Sequence, residues 1–274
     1  MTDFGANTSE FAVLDGELKP AAEAFVPATD EGFLRGDGAF EVFRVYSGRA
    51  FGQEEHLQRL LRSAAGIRLP EIDPMAIERD IATLIEARGE TDFGVRVVVS
   101  RGGRRLVMSE PIGDYPPAVR LAFVEFQPSI VLDGLKTLSY AANMQANRIA
   151  KERGYDEALL VTPGGEVLES PTASLFWSSD GQTLITPPLE EGILASITRH
   201  VLMEALPVVE RKTSRDELSG ATEAFLCSSV REIQAVGEVE GTRLGVPGPL
   251  TEAAAKALAD CVEARIAAQP PNNR

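Results

Sequence analysis

The first half of the chain shows two hydrophobic periods, one typical of strands and one typical of helices. Short runs of alternating apolar residues predict strands, whereas apolar residues spaced three and four apart predict amphipathic helices. Asp-Gly and Ser-Gly pairs within this half favour tight turns. The predicted order is a hairpin at 11–18, a strand at 39–46, helices at 56–63 and 75–87, and strands at 95–100 and 119–126.

Residues 127–134, with the sequence QPSIVLDG, interrupt this pattern with turn-forming residues. We expect an interdomain linker here, between a smaller N-terminal α/β domain at 1–126 and a larger domain at 135–274. The elements predicted in the second half are helices at 141–153 and 196–206, strands beside Gly164-Gly165 and Asp180-Gly181, a strand at 223–228, and a closing helix from Thr251. Because helices and strands do not alternate regularly, the pattern favours a mixed α/β (α+β) two-domain fold over a doubly wound sheet.

The composition is that of a globular protein with an acidic surface. Of 274 residues, 44% are hydrophobic and 25% are charged, and the formal net charge is −14. Such a charge repels phosphates, which argues against nucleic acid and anionic membranes as partners. Any anionic ligand then needs a local basic pocket. No segment resembles a signal peptide or a membrane span, so we expect a cytoplasmic protein. Two cysteines and two histidines, none of them clustered, give no reason to expect a metal site.

Lysine is scarce enough for each one to be judged by its surroundings. The chain has five, and four of them lie among charged or small residues, as is typical of solvent-exposed positions. Lys136 differs because it lies in the otherwise uncharged segment LKTLSY, beside the predicted linker. Burial there would favour a neutral, nucleophilic amine, which suits a Schiff base. The alternative is a surface lysine next to a linker.

Three further features suit a phosphorylated aromatic cofactor, and each has a simpler alternative. Glu169 follows a short strand, where a carboxylate would pair with a protonated pyridine nitrogen; otherwise it is a rim charge. Residues 196–199 open a helix whose N–H groups and hydroxyls would bind phosphate; otherwise Ser196 is an ordinary N-cap. Arg59, on the helix at 56–63, would form a bidentate phosphate contact; otherwise it is a helix-surface arginine.

Several arginines are candidates for binding a substrate carboxylate. Arg101, Arg104 and Arg105 lie in RGGRR, which follows a predicted strand and is either a carboxylate-capturing loop or a solvated basic turn. Arg44 lies in another predicted strand and alternates onto the same face as Phe40, so it would reach the same pocket. The alternative for Arg44 is a surface charge on an edge strand.

Six segments along the chain form an ordered set of motifs. They are RGDGAFE at 35–41, EHLQRL at 55–60, KTLSY at 136–140, GYDEALL at 154–160, ESPTASLF at 169–176 and GILASITR at 192–199. In this order they resemble the class IV aminotransferases, which are the fold type IV pyridoxal-phosphate enzymes. That family contains D-amino-acid and branched-chain aminotransferases, some R-selective amine transaminases and aminodeoxychorismate lyases.

The resemblance implies pyridoxal 5′-phosphate as cofactor and small-molecule amino acids and oxo acids as substrates, in a homodimer. It implies that Lys136 forms the Schiff base and moves the substrate proton, and that Glu169 bonds the pyridine nitrogen. The residues implied to hold the phosphate are Arg59, Ile197, Thr198 and Ser229. One position departs from the family, because Ser174 stands where the family usually has Asn.

The subfamilies differ in how they place the substrate carboxylate. The loop from Lys136 to the next helix resembles the D-amino-acid and lyase branches in length, and a loop arginine such as Arg104 or Arg105 binds the carboxylate in D-amino-acid enzymes. Phe40, at a position where tyrosine is usual, is atypical of that branch. We expect a D-amino-acid transaminase first. The alternatives are an aminodeoxychorismate lyase, a branched-chain L-amino-acid or R-amine transaminase, and a non-catalytic protein in which Lys136 or Glu169 is idle.

Overall fold

The computed structural model describes residues 10–269, and the chain forms two compact units. Among the described residues, the first unit comprises 10–112, 135–139 and 265–269, and the second comprises 113–134 and 140–264. No helix within residues 10–269 is both long and apolar enough to cross a membrane. The same stretch contains no group of three or more His, Cys, Asp or Glu side chains arranged to hold a metal ion.

The first unit is built on an antiparallel sheet. Its strands are β1 (Phe11–Leu14), β2 (Glu17–Pro20), β3 (Gly38–Tyr46), β4 (Arg49–Ala50), β5 (Phe93–Ser100) and β6 (Arg105–Glu110). Its helices are α1 (Glu31–Arg35), α2 (Gln53–Gly66) and α3 (Pro74–Arg88). The six strands lie in the order β2-β1-β6-β5-β3-β4, and every neighbouring pair is antiparallel.

Alternation along the strands gives this sheet one face that packs against α2 and α3. Phe43 and Val45 of β3 lie in the core with Leu60 of α2 and Ile81 of α3. Phe40 is out of phase with these residues and therefore lies on the opposite face. Burial of the core face fixes the register of the sheet, because a shift by one residue would expose every core side chain.

The ends of α2 and α3 lie outside the predicted ranges. Helix α2 was predicted at 56–63, and α3 at 75–87, because the apolar period is visible only there. Asp73 caps α3 by accepting from the N–H of Met75 at 3.0 Å, and Pro74 occupies its first turn. The polar residues at the helix ends join the helices through backbone hydrogen bonds and caps. Because these interactions leave no trace in the hydrophobic pattern, the pattern predicts helices that are too short.

The second unit is built on a mixed sheet. Its strands are β7 (Ala118–Glu125), β8 (Glu157–Val161), β9 (Ser174–Ser178), β10 (Leu184–Thr186), β11 (Val208–Glu210), β12 (Glu223–Ser228), β13 (Glu232–Val239) and β14 (Thr242–Arg243). The helices are α4 (Ala141–Glu152), α5 (Ile197–Ala205), α6 (Arg215–Ser219) and α7 (Pro249–Ala267), the last of which belongs to this unit up to residue 264.

The strand order in this second sheet is β11-β10-β9-β12-β13-β7-β8, with β14 beside β13. Strand β7 runs parallel to both of its neighbours, whereas β12 is antiparallel to β9 and β13. The core contains Trp177, and the stacked rings of Phe176 and Phe225 have centroids 5.2 Å apart. The expected mixed α/β architecture is therefore observed as two separate sheets.

The division of the chain into two units differs from the predicted one, since the predicted linker at 127–134 lies within the second unit and residues 265–269 lie in the first. Strand β7, predicted to close the domain at 1–126, pairs instead with β8 and β13 of the second unit. Residues 135–139, predicted to open the domain at 135–274, belong to the first unit. Both differences have one cause, since hydrophobic period identifies a strand but not the strands with which it pairs.

Candidate active site

Lys136 lies in a short extended segment hydrogen-bonded to strand β3. Its backbone N–H donates to Ser63 Oγ at 3.0 Å, and its carbonyl oxygen accepts from the N–H of Phe40 at 3.1 Å. An antiparallel bridge between Ala39 and Thr137 continues this pairing. The half-buried side chain extends over the Phe40 ring, with Nζ 4.4 Å from the ring centroid. Both backbone groups of Lys136 are thus fixed, and its amine lies against an aromatic face.

Arg59 is part of a buried network of charged and polar side chains. Its Nε and Nη2 donate to the two carboxylate oxygens of Glu41 at 2.6 and 2.8 Å, and His56 Nδ1 donates to Glu41 Oε2 at 2.7 Å. Burial alone would raise the pKa of Glu41, but the hydrogen bonds and charges of Arg59 and His56 outweigh it and lower the pKa to about 2. Burial lowers the pKa of His56. The imidazole is therefore neutral at pH 7, and the bidentate pair holds Arg59 in one orientation.

The sequence prediction named Arg59 but neither Glu41 nor His56 as members of this buried network. The sequence did contain a signal for Glu41. This residue alternates onto the same face of β3 as Ala39 and Phe43, where an apolar residue is expected. A carboxylate on the core-facing side of a strand must be paired, because an unpaired buried charge is too costly to keep. The buried network supplies that pairing.

Two arginines lie on the Phe40 face of the first sheet. Arg44 alternates onto this face as predicted, and its Nη2 lies 3.5 Å from Asp92 Oδ2. Arg96 of β5 lies on the same face, with its guanidinium carbon 5.2 Å from the Phe40 ring centroid and Nη2 donating to Glu110 at 3.0 Å. The sequence prediction missed Arg96, although a single charge in the apolar run VRVVV was a signal for it.

Arg101 and Arg104, in the loop before β6, and Arg105, the first residue of β6, each pair with an aspartate of the same unit. The pairs are Arg101 with Asp37, Arg104 with Asp15 and Arg105 with Asp80. Arg105 aligns with Val99 in the register and therefore lies on the helix-covered face, opposite to Phe40. This geometry does not support the expectation that Arg105 binds the substrate, because its guanidinium is anchored to α3.

Glu169 lies before strand β9, and its carboxylate accepts hydrogen bonds from Leu194 and Ser174. Its Oε1 accepts from the N–H of Leu194 at 2.8 Å, and its Oε2 accepts from Ser174 Oγ at 3.2 Å. The residue that departs from the family pattern, Ser174, is therefore buried and donates to this carboxylate. Burial, and then the negative charge of Glu169, raise the pKa of the buried Cys227 thiol.

Helix α5 begins beside a pair of hydroxyl groups. Ser196 caps the helix by accepting from the N–H of Arg199 at 3.3 Å. Thr198 Oγ1 lies 3.5 Å from Ser229 Oγ, so the first turn of α5 and the end of β12 bring two predicted phosphate ligands together. Ile197, also predicted, is buried in the same turn. The first N–H groups of a helix have no partner within it and carry partial positive charge, which favours an anion at this position.

The fold is that of the fold type IV transaminases. The solved structure of a fold IV transaminase from Curtobacterium pusillum matches 95% of this chain and 100% of its own, with a TM-score of 0.82 and 26% identity. The amino-transferase class IV family matches residues 38–239. The chain therefore belongs to this family of pyridoxal-phosphate-dependent enzymes, and the predicted fold class, enzyme class and cofactor are confirmed.

Two curated relatives show the range of activities within the family. A D-alanine aminotransferase from Bacillus licheniformis is 27% identical, over 91% of this chain and 96% of its own length. A bifunctional aminodeoxychorismate lyase/D-amino acid transaminase from Mycobacterium tuberculosis is 34% identical, over 70% of this chain and 76% of its own length.

Proposed function

We propose that this protein exchanges the amino group between a D-amino acid and a 2-oxo acid, using pyridoxal 5′-phosphate held covalently by Lys136. The observation that carries the proposal is the placement of Lys136, whose backbone is fixed at both polar groups and whose amine lies on the Phe40 ring. The names of both relatives include transamination of D-amino acids or of D-alanine, which supports a D-amino acid as substrate.

The described side chains have the chemistry that this cofactor requires. An amine suits its aldehyde, a carboxylate held by two donors suits its ring nitrogen, and a helix start with two hydroxyls suits its phosphate. When bound, the cofactor supplies an electron sink for the carbanion formed at the substrate α-carbon.

Each residue then has a separate task. Once the substrate amine has replaced it on the cofactor, the freed Lys136 amine would remove and return the proton at the substrate α-carbon, a step for which a positioned acid–base group is worth about 10²–10⁴ in rate. Glu169 accepts the hydrogen bond of the ring nitrogen. The residues that bind the phosphate are Arg59, Ile197, Thr198 and Ser229. Arg44, on the same sheet face as Phe40, is our first candidate for the substrate carboxylate. Its ion pair with Asp92, at 3.5 Å, is longer than the ion pairs of Arg101 with Asp37 and of Arg104 with Asp15.

The proposal is tested by absorbance and by half-reactions. Purified protein should show the band of lysine-bound pyridoxal phosphate, and Lys136→Ala should lose it, whereas Lys151→Ala, at an exposed position on α4, should keep it. Adding D-alanine alone should convert the band, and L-leucine or R-phenylethylamine should not. A band that survives in Lys136→Ala contradicts the assignment of the lysine. Conversion by L-leucine but not by D-alanine contradicts the substrate.

The second candidate is aminodeoxychorismate lyase, which eliminates pyruvate and needs no second oxo acid. The bifunctional relative from Mycobacterium tuberculosis, which is 34% identical, supports this candidate too, because its name includes the lyase activity. Pyruvate released from aminodeoxychorismate, with no spectral change on adding D-alanine, would replace the lead proposal by this one. We also propose a homodimer in the cytoplasm, and light scattering of the purified protein tests the oligomeric state.

A further inference from the structure

A three-residue turn joins the proposed phosphate ligand Ser229 to a buried arginine. Strands β12 and β13 pair from Ser228 and Glu232 onward, so only Ser229, Val230 and Arg231 lie between them. Glu232 closes the turn in the left-handed region, with φ of 61°. In so short a turn, the position of Arg231 restricts the position of Ser229.

The guanidinium of Arg231 is buried and incompletely paired. Its Nη2 lies 2.7 Å from Glu157 Oε2 and donates to Thr172 Oγ1 at 3.2 Å. The Tyr115 ring covers it, with the centroid 5.2 Å from the guanidinium carbon. The side chains of Arg231 and Glu157 are only 6% and 9% exposed. Arg231 Nε and Nη1 are inaccessible and have no acceptor among residues 10–269.

Glu157 connects this arginine to the segment that carries Glu169. Its Oε1 accepts from the hydroxyls of Ser170 and Thr172, the latter at 3.2 Å. Ser170 directly follows Glu169 in the chain. A single carboxylate on β8 therefore contacts both the turn that contains Ser229 and the segment that begins at Glu169.

We propose that Glu157 and Arg231 form a positioning pair, which fixes the Ser229 turn relative to the Glu169 segment and so preorganises the groups for the phosphate and the ring nitrogen. This inference rests on the proposed cofactor roles of Glu169 and Ser229. Neither member of the pair is a catalytic residue, because each acts through a neighbour. Preorganised supporting shells of this kind set the geometry of the groups that touch a ligand.

Stability alone is a poor explanation for the pair. Burying two charges is costly, and an apolar pair of similar volume is often as stable or more stable. The Nε and Nη1 nitrogens of Arg231, which have no acceptor among residues 10–269, add to that cost. A positioning role accounts for a charged pair in which one carboxylate contacts two separate segments.

The test separates cofactor affinity from folding. Arg231→Met leaves Glu157 as an unpaired buried charge and should lower the melting temperature of the apoprotein. The double variant Glu157→Gln with Arg231→Met removes both charges and should regain most of that stability. Both variants lack the Glu157–Arg231 ion pair that links the Ser229 turn to the Glu169 segment. We therefore expect the pyridoxal-phosphate dissociation constant, from absorbance titration of apoprotein, to rise about tenfold in both.

Two further variants complete the design. Arg153→Met breaks the ion pair with Glu240 elsewhere in the same unit and should leave the dissociation constant within twofold of wild type. Thr172→Val, at an exposed position, removes the hydroxyl that bonds both members of the pair and buries no charge. It should weaken cofactor binding by about threefold, which keeps the proposal testable if Arg231→Met does not fold.

The outcomes distinguish this inference from the proposed function. A double variant that regains wild-type affinity together with its stability would show a merely structural pair and overturn the inference. Unchanged affinity in Arg231→Met or, if that variant does not fold, in Thr172→Val would do the same. Failure of the wild-type protein to bind pyridoxal phosphate, or a lysine-bound band that persists in Lys136→Ala, would instead refute the proposed cofactor chemistry.

Discussion

Glu41 accepts hydrogen bonds from two buried side chains of α2 and is itself fully buried. Substitution by Gln leaves the guanidinium of Arg59 buried without a counter-ion, because an amide carries no charge. Removing one partner of a buried ion pair typically costs about 3–5 kcal/mol. We expect Glu41→Gln to lower the free energy of unfolding by about this amount in urea denaturation at pH 7.

Asp260 provides the control for this prediction. It pairs with Lys256 on α7, and the two side chains are 62% and 75% exposed. Exposed pairs contribute about 0–1 kcal/mol, so Asp260→Asn should change the free energy of unfolding by less than about 0.5 kcal/mol. Equal losses in the two variants would contradict a special role for the buried network.

Ser174 supports Glu169 through a single hydroxyl. Ser174→Ala removes one hydrogen-bond donor to this carboxylate and adds no bulk. A hydrogen bond to a charged group is worth about 1.5–3 kcal/mol. About half of that affects cofactor binding, so we expect the cofactor dissociation constant to rise about three- to tenfold. Ser178→Ala removes a buried hydroxyl on the same strand that bonds Asp180, and should leave cofactor binding unchanged. Equal affinities in both variants would show that the Ser174 hydroxyl does not act through Glu169.

Residues fixed by a motif can be predicted from the sequence, whereas their partners cannot. The motif order predicted Lys136, and the structure shows it bonded to β3, but nothing local predicted Ser63 as its backbone partner. Likewise, Arg105 pairs with Asp80, 25 positions earlier. Such choices depend on how helices and strands pack, which hydrophobic period does not specify.

At the scale of elements, most strands and helices follow from their apolar period. The strand predicted at 223–228 coincides with β12. Strand β6 was not predicted, because it begins at Arg105, within a run of arginines that favours a loop. Strand β7 was predicted, but not its parallel pairing with β8 and β13. Parallel pairing needs a crossover through other elements, so neighbouring sequence gives no sign of it.

Helix α7 has a cap supplied by another element. Glu223, at the start of β12, accepts from the N–H groups of Leu250 and Thr251 and from the Thr251 hydroxyl. The carboxylate also lies where the helix dipole favours negative charge. Glu223→Gln weakens this cap, so the first turn of α7 should lose hydrogen-exchange protection, and the protein about 1–2 kcal/mol of stability. Glu252→Gln, at an exposed position of the same turn, should lower the stability by only about 0.3 kcal/mol. A change of equal size in both variants would show that only the dipole matters.

At the scale of the whole molecule, the two histidines of the chain have opposite environments. His56 is fully buried, whereas the side chain of His200 is 69% exposed. Burial lowers the pKa of His56 from its ordinary value of 6.5. Below about pH 6.5 the unfolded chain therefore binds a proton that the folded chain does not, and stability falls as the pH falls. Glu41 acts in the same direction at lower pH, because its stabilisation is lost between its ordinary pKa of 4.5 and its folded pKa of about 2.

We therefore expect the free energy of unfolding to decline from pH 7 to pH 5, with His56 contributing a slope of up to about 1.4 kcal/mol per pH unit. His56→Asn keeps an amide that can donate to Glu41 as Nδ1 does, but this amide does not titrate. Its curve of stability against pH should be shallower than that of wild type, even if the variant is less stable throughout. His200→Asn should keep the wild-type slope. Urea denaturation at several pH values measures all three curves, and a His56→Asn curve parallel to wild type would mean that His56 takes up its proton in the folded protein, contrary to its burial.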